Sequence, residues 1–340
     1  MFYGQRIQLQ ITSSEISKSL EKLKGYKEEA KKELLEYIKN TLKPAVDPSQ
    51  KIERFFEYFT IMPVDMDPNG IVQKVRHVMR SREDYTRLQV KAFSPEMSSL
   101  EASKIENIME AATSLHLLYK IVRHLFLTAK KQNNFPLILP LQMMMPFIME
   151  EAEALKTAVS AFKQGQPIGD GIGPMVVGKM MLGSEKKTAA FETIWSEIEY
   201  EGRKLYLMKA EGPSATVGRP GDALEKIISE TKPDIIIMVD AALKLEGEET
   251  GSVAQGFGAA IGGIGTDRFQ MEEIATKHKI PIYAIVVKQS IKEAITLMKK
   301  EIADSAEKVL SNIHEIIKEN TKQSQSVLVI GVGNTLGVSQ

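Results

Sequence analysis

The chain contains no cysteine, a single tryptophan and no excess of either charge, since 44 basic and 44 acidic side chains balance over 340 residues. Without thiols, cysteine nucleophiles, thiolate zinc sites and iron–sulfur clusters are excluded, and nothing speaks for an oxidising compartment. Any metal would rest on carboxylate, imidazole or carbonyl groups. A net charge of zero excludes a chain that is basic throughout, leaving only local patches for nucleic acid or anionic lipid. Long apolar runs are missing too, and no stretch reaches the roughly 20 residues that span a bilayer. Phe135 to Met149 comes nearest, but it is short and holds Pro136, Pro140 and Pro146, so it reads as a buried helix and turn centred on Met145. The N-terminus runs into polar sequence without an apolar core, so no signal peptide is expected. What is present, 43% hydrophobic residues, suffices for two domains with real cores.

Two halves follow different patterns, and the expected fold class is α + α/β, with a helical domain over 1–162 and an α/β domain over 163–340. In the first half, Ser13-Ser14 is placed to cap a charged helix from Glu15 to Thr41 that ends before Pro44. Its apolar positions leave much polar surface, so residues 1–43 are expected to project or to pair in a homo-oligomer. Phe55, Phe56, Tyr58 and Phe59 seed a core, with turns at Pro63, Pro68 and Gly70. Ser98 followed by Glu101 fits a capping box opening a long helix to Leu125, and a further helix is expected over Ile148 to Phe162. In the second half, the apolar runs Lys204 to Met208, Asp234 to Val239, Ile282 to Val287 and Val327 to Ile330 suit strands buried on both faces. They imply a three-layer domain with a mostly parallel sheet. Helices are expected over Gly221 to Thr231, Arg268 to His278 and Ser290 to Asn320.

Charge is patterned locally. Ile71 to Arg82 carries Lys74, Arg76, Arg80 and Arg82 with no acid, and Ala111 to Met149 carries Lys120, Arg123, Lys130 and Lys131 with none. Two readings stay open: a face toward anionic lipid, phosphate or RNA, and an ordinary solvated face balanced by acids from other helices. His116, Lys120 and His124 share one helix face and read as packing or solvent groups rather than metal ligands.

Glycine-rich turns flank the expected strands at GDGIGP (169–174), GPSATVGRPGD (212–222), the run 251–265 after VDAAL, and GVGNTLG (331–337). In an open α/β sheet, ligands collect where strand ends, loops and helix N-termini converge. Asp240 stands at such a strand end, and Asp170 stands just before a Gly-Ile-Gly-Pro helix entry. Each has a structural alternative as a cap. GVGNTLG does not open a helix in a G-x-G-x-x-G frame, so it is no dinucleotide fingerprint.

Together, VLVIGVGNTLG (327–337), DGIGPMVV (170–177) and PDIIIMVDAAL (233–243) resemble the core signature of the hydrogenase maturation and spore germination endopeptidases. GGIGTDR (262–268) and the following strand KIPIYAIVV (279–287) are similar to the germination enzyme. In those families the G-x-G-N strand leads directly into the acidic turn, whereas here Gly331 to Asn334 lies at the far end of the chain, so the resemblance implies a circular permutation. FYGQRIQ (2–8), RFFEYFTIMPVDMDPNGIV (54–72) and GQPIGDGIGP (165–174) resemble a family of unknown function with archaeal members. Relatives there carry a membrane-spanning helix just before FYGQRIQ, so this likeness implies a cytoplasmic-side protein whose anchor precedes Met1.

The endopeptidase resemblance puts Asp170 and Asp240 on the two acidic positions. One carboxyl would keep its proton as acid while the other activates water, because neighbouring carboxylates resist ionising together. Gly171, Gly173, Gly263, Gly265, Gly331, Gly333, Asn334 and Arg219 are the candidate ligand contacts. A divalent metal at the two aspartates, aided by Glu246, Glu248 or Glu249, is an open alternative, and His278 is not equivalent to the metal-binding histidine of the maturation enzymes. The leading expectation is a hydrolase, specifically a peptidase that is aspartate-dependent or metal-assisted. The alternatives are a non-catalytic membrane-tethered scaffold or ligand-binding protein on the same core, and a nucleic-acid-binding protein.

Overall fold

The structure, a computed structural model, describes residues 2–58, 70–132, 135–263 and 265–339, without the side chains of residues 2–9 and 135–137. Phe59, Pro63 and Pro68 lie outside the described residues. The chain divides into two compact units, Met1–Phe59 with Arg87–Lys163, and Thr60–Thr86 with Gln164–Gln340. The helices of its first half are α1 (Phe2–Leu42), α2 (Ser49–Phe56), α3 (Ile71–Lys91), α4 (Ser99–Lys131) and α5 (Phe135–Gln164). Most of α3 belongs to the second unit.

In the first unit, α1 does not begin at Ser13-Ser14 and, from Thr12 onward, does not project. Ile16, Leu20, Leu23, Ala30, Leu34 and Ile38 are buried in one stripe. The packing runs along the helix: the Tyr37 hydroxyl donates to Glu101 (3.0 Å) and the Thr12 hydroxyl to Gln142 (3.1 Å). No proline or glycine stands between Gln5 and Ile16 to stop the helix, and buried Thr12 extends its packed face past the two serines. The apolar stripe offered for an oligomer is therefore used within the unit.

Ser98 does cap α4, its side chain accepting from the Glu101 main-chain N–H (3.2 Å). Ser98→Ala is expected to cost about 1 kcal/mol of helix stability, read by circular-dichroism melting. An unchanged midpoint would mean that packing against α1 alone holds this end.

The buried helix and turn expected over Phe135 to Met149, and a separate helix after Pro146, are replaced by one continuous α5 with Pro140 and Pro146 inside it. Both prolines are exposed, so the carbonyls they leave unbonded can be reached by water, and Ile138, Leu141 and Met145 pack inward to hold the helix. Met145 is core as expected, but Met143, Met144 and Phe147 are exposed.

The second unit continues with a single 3₁₀ turn (Gly169–Gly171), α6 (Ile172–Met180), β1 (Lys187–Ala190), β2 (Thr193–Tyr200), β3 (Arg203–Ala210) and α7 (Pro220–Thr231). Then come β4 (Ile235–Leu243), β5 (Val253–Phe257), α8 (Thr266–His278), β6 (Ile282–Gln289), α9 (Ile291–Ile295), α10 (Lys300–Asn320) and β7 (Ser326–Gly331). Among the described residues the strands form one sheet in the order β1-β2-β3-β7-β4-β6-β5. The four central strands are parallel and the outer pairings are antiparallel. The class is α + α/β with a mostly parallel sheet, as the buried runs imply.

Alternate residues of the central strands face opposite layers. Leu205, Leu207, Ile237, Val239 and Val329 pack with α6 and α10, while Tyr206, Met208, Ile236, Met238 and Ile330 pack with α7 and α8. The antiparallel edges β1, β2 and β5 were not expected. The single helix expected over Ser290 to Asn320 is broken, because Leu297 bridges Ile168 and the Met298 N–H donates to the Pro167 carbonyl (2.8 Å). No proline or glycine marks that break. It is imposed by the segment that leads into the acidic turn.

Candidate active site

The last strand, β7, lies between β3 and β4, so its exit turn Val332 to Asn334 emerges at the carboxyl end of the sheet beside the exit of β4. Asp240 follows Val239 in β4. Asp170 arrives from the other direction, on the 3₁₀ turn before α6. The two meet at one cleft of about 360 Å³, lined by both aspartates, Val332 and Gly333, Ala241, the loop Ile261 to Gly263, and the N-terminal ends of α7 and α8. Such convergence at strand ends is where α/β sheets place ligands.

The acidic turn is locked by close backbone approaches. Asp170 Oδ2 accepts from the Asn334 main-chain N–H (2.7 Å), joining residues 164 positions apart. A Cβ on Gly333, whose φ is +133°, would overlap the Asp170 carbonyl oxygen. One on Gly173 would overlap the carbonyl oxygens of Val332 and Val239, and one on Gly331 would meet the Gly173 carbonyl. Gly173 and Gly331 are thus contact points between α6 and the sheet. Gly171 sits against Asn334 and Val338.

Gly333, Gly263 and Gly265 line the cleft. Asn334 is occupied structurally, its side chain donating to the Ala215 carbonyl (3.3 Å) and accepting from the Leu336 N–H (2.9 Å). Arg219, at the entry to α7, lies over the Phe191 ring and 3.8 Å from Asp84, and it does not line the cleft.

Burial dominates the electrostatics of the pair. It raises the Asp170 carboxyl above its ordinary value, against the opposing pull of the Asn334 N–H. Asp240 is pushed well above the ordinary range, first by burial and then by the charge of Asp170, although the Ala241 and Gly262 N–H groups favour its ionised form. Two buried carboxyls, the higher one responding to the charge of the lower, do not readily ionise together.

Among the described residues no three His, Asp or Glu side chains gather into a metal-binding group. His278 ends α8, whereas the cleft meets the start of that helix, about 18 Å away at a rise of about 1.5 Å for each step from Thr266. Of the acidic loop expected to assist, Glu248 instead pairs with Lys288 and accepts from the Leu245 N–H.

Sequence reasoning missed one wall of the cleft. Met79 and Glu83 of α3 line it, as does Asp267 in the first turn of α8. Burial raises the Asp267 carboxyl, with Arg76 and Arg80 opposing. GGIGTDR held the signal for Asp267, since a Gly turn before a helix presents that helix's first residues to the sheet end. Nothing in α3 announced its part.

The acid-free stretch Lys74 to Arg82 is answered by acids from other elements, most directly where Arg80 pairs with Asp222 (2.7 Å). In the other stretch, Lys120 donates to Glu57 (2.6 Å), which also contacts His116 (3.1 Å). Burial would raise Asp222, yet hydrogen bonds from Arg80 and Gln270 hold its carboxyl below the ordinary value. Stability from this pairing is therefore present above pH 3.8 and lost as pH falls through the lowered value. Arg80→Ala should cost roughly 1 kcal/mol near neutral pH, both partners being about one-third exposed. The deficit should shrink in acid, and a pH-independent loss in urea titrations would assign it to packing.

A comparison with curated proteins finds no match. A family model described as a protein of unknown function (DUF1512) N-terminal domain matches residues 1–165. One described as a domain of unknown function (DUF1512) C-terminal matches residues 168–339. The acidic turn, the Asp240 strand end and the Gly333 turn all fall within the second match, and the chain belongs to the DUF1512 family.

Proposed function

We propose that the second unit is a hydrolase, specifically a peptidase, that uses Asp170 and Asp240 as an acid–base pair. The observation that carries the reading is the burial of both carboxyls in one cleft with Asp240 raised by the Asp170 charge. Asp240, the more raised, holds the proton and gives it to the carbonyl oxygen of a bound amide. Asp170, ionised, takes a proton from water as the water oxygen attacks the carbonyl carbon. The C–N bond then breaks as that proton passes from Asp170 to the leaving nitrogen, and the carbonyl hydroxyl returns its proton to Asp240. Water and amide become acid and amine, and the pair is restored.

The endopeptidase resemblance supports this reading, since a permuted chain of that type needs its C-terminal G-x-G-N turn against the acidic turn, where Asn334 meets Asp170. An archaeal source and an anchored, cytoplasmic-side placement belong to the other resemblance, the one carried by FYGQRIQ (2–8), and fractionation of native cells tests the placement.

The test of activity is incubation with a peptide mixture, reading new termini by mass spectrometry. Cleavage by the parent that both Asp170→Asn and Asp240→Asn lack is the expected result. A parent that cleaves nothing from pH 4 to 8, or cleavage that survives either substitution, would reject the pair.

A further inference from the structure

The cleft of the second unit carries carboxyls that the proposed acid–base pair does not use. Asp267, in the first turn of α8, and Glu83 of α3 line it together with Asp170 and Asp240, and among the described residues no lysine, arginine or histidine does. Apart from glycines and Thr266, the remaining lining is apolar, including Met79, Val217, Pro220 and Ile261.

Asp267 differs from the acids near it. Asp222 accepts from Arg80 (2.7 Å) and Gln270 (3.2 Å), and Asp84 stands 3.8 Å from Arg219. Asp267 makes no hydrogen bond or ion pair among the described residues. Arg76, Arg80 and Arg219 draw its carboxyl down through their charge, yet burial outweighs them, and none of the three lines the cleft. A carboxyl that is desolvated in a ligand cleft and bonded to nothing gains most from a ligand that brings the missing donor. We propose that Asp267 sets the specificity of the cleft, which receives the side chain of a substrate lysine or arginine, its aliphatic stem against the apolar walls and its cationic head at the Asp267 carboxylate.

The lining separates this occupant from others. An acidic side chain would meet four carboxyls and no cation. A purely apolar one would fill the walls but desolvate Asp267 further without a partner. Lysine and arginine pair an apolar stem with a charged head, as the walls and Asp267 require. The cleft volume of about 360 Å³ lies within the roughly 300–1,000 Å³ of small-ligand pockets. The inference deepens the peptidase reading and rests on it for the reaction, but binding is measurable without cleavage.

The test is calorimetry with the full chain carrying Asp240→Asn, so that binding is read without turnover. The probes are an alanine pentapeptide blocked at both ends with lysine at its centre, the same peptide with norleucine there, which keeps the stem and lacks the charge, and the norleucine peptide with a free N-terminus. The lysine peptide should bind about 10-fold or more tightly than the blocked norleucine peptide, and adding Asp267→Asn should remove that difference while norleucine binding stays. Equal binding of the two blocked peptides, or none, would overturn the proposal, as would a lysine preference that Asp267→Asn keeps. Tightest binding of the free-terminus peptide would also overturn it and give the acids to a chain terminus. The comparison of lysine with norleucine needs no Asp267 variant, so it decides even where that substitution lowers the melting midpoint. A lysine preference that depends on Asp267, in a parent that cleaves nothing, would uphold the cationic subsite and reject the peptidase reading. Cleavage by the parent with no such preference would do the reverse.

Discussion

Asp240→Asn should be more stable than the parent at neutral pH and, on the proposed acid–base reading, should lose peptide cleavage. Asparagine keeps an oxygen to accept the Ala241 N–H that Asp240 Oδ1 now takes at 2.7 Å, so the local geometry survives. What it removes is the cost of ionising a buried carboxyl. Because the folded value is raised, the native state binds more protons than the unfolded chain above pH 3.8, and stability falls as pH climbs through the raised value. The substitution abolishes that fall, so the gain should grow as pH rises above 3.8 and close as pH drops below it.

Relief of a strained functional site typically yields about 1–2 kcal/mol, and roughly 2–4 °C in midpoint per kcal/mol is expected for a unit of this size. Cleavage should drop by about 10²–10⁴, the usual contribution of a positioned acid or base. Calorimetry across pH decides the stability half. A variant less stable than the parent at every pH would make Asp240 a cap for the β4 exit rather than a group kept for chemistry.

Gly173→Ala should be among the most damaging single-methyl additions in the second unit. Its Cβ would overlap two main-chain carbonyl oxygens at once, those of Val332 in the β7 exit and Val239 in β4, and backbone at the centre of a sheet cannot step aside. Helix α6 must retreat instead, and it carries Asp170 on its leading turn. About 3 kcal/mol or more is expected, a midpoint drop of roughly 6–12 °C.

Gly178→Ala is the matched control, five residues along the same helix. There the added carbon meets Cε of Lys209 at 3.3 Å, a side-chain rather than a main-chain atom, and alanine's helix preference works in its favour. It should stay within about 1 kcal/mol of the parent. Equal melting of the two variants would show that α6 is not pinned to the sheet through Gly173, and that Asp170 owes its position to the Asn334 N–H alone.

The central strands were legible because each is buried on both faces, which writes an unbroken apolar run into the sequence: Ile235 to Val239 and Val327 to Ile330 are such runs. The edges carry weaker marks. In β2, the half-exposed stretch Glu197 to Tyr200 is charged, and β5 has mostly exposed side chains, so neither reads as a core strand. The break at Thr296 to Lys299 has no local signal at all, because its cause is a bridge to Ile168 far away in the chain. At the site, Asp170 and Asp240 were legible as acids beside Gly turns and strand ends. Gly173 and Gly331 were legible as special but read as ligand contacts, when their missing side chains serve backbone-to-backbone approach.

The sequence by itself determined the α + α/β class, the four central strands and the two carboxyls, because burial on both faces and turn chemistry are local properties that each segment records. Only the tertiary structure decided that β7 inserts between β3 and β4, that the Gly333 turn clamps Asp170, and that α3 supplies Met79 and Glu83 to the cleft. These depend on which distant surfaces fit one another. Shape complementarity between segments up to 164 residues apart leaves no periodicity in either segment to read.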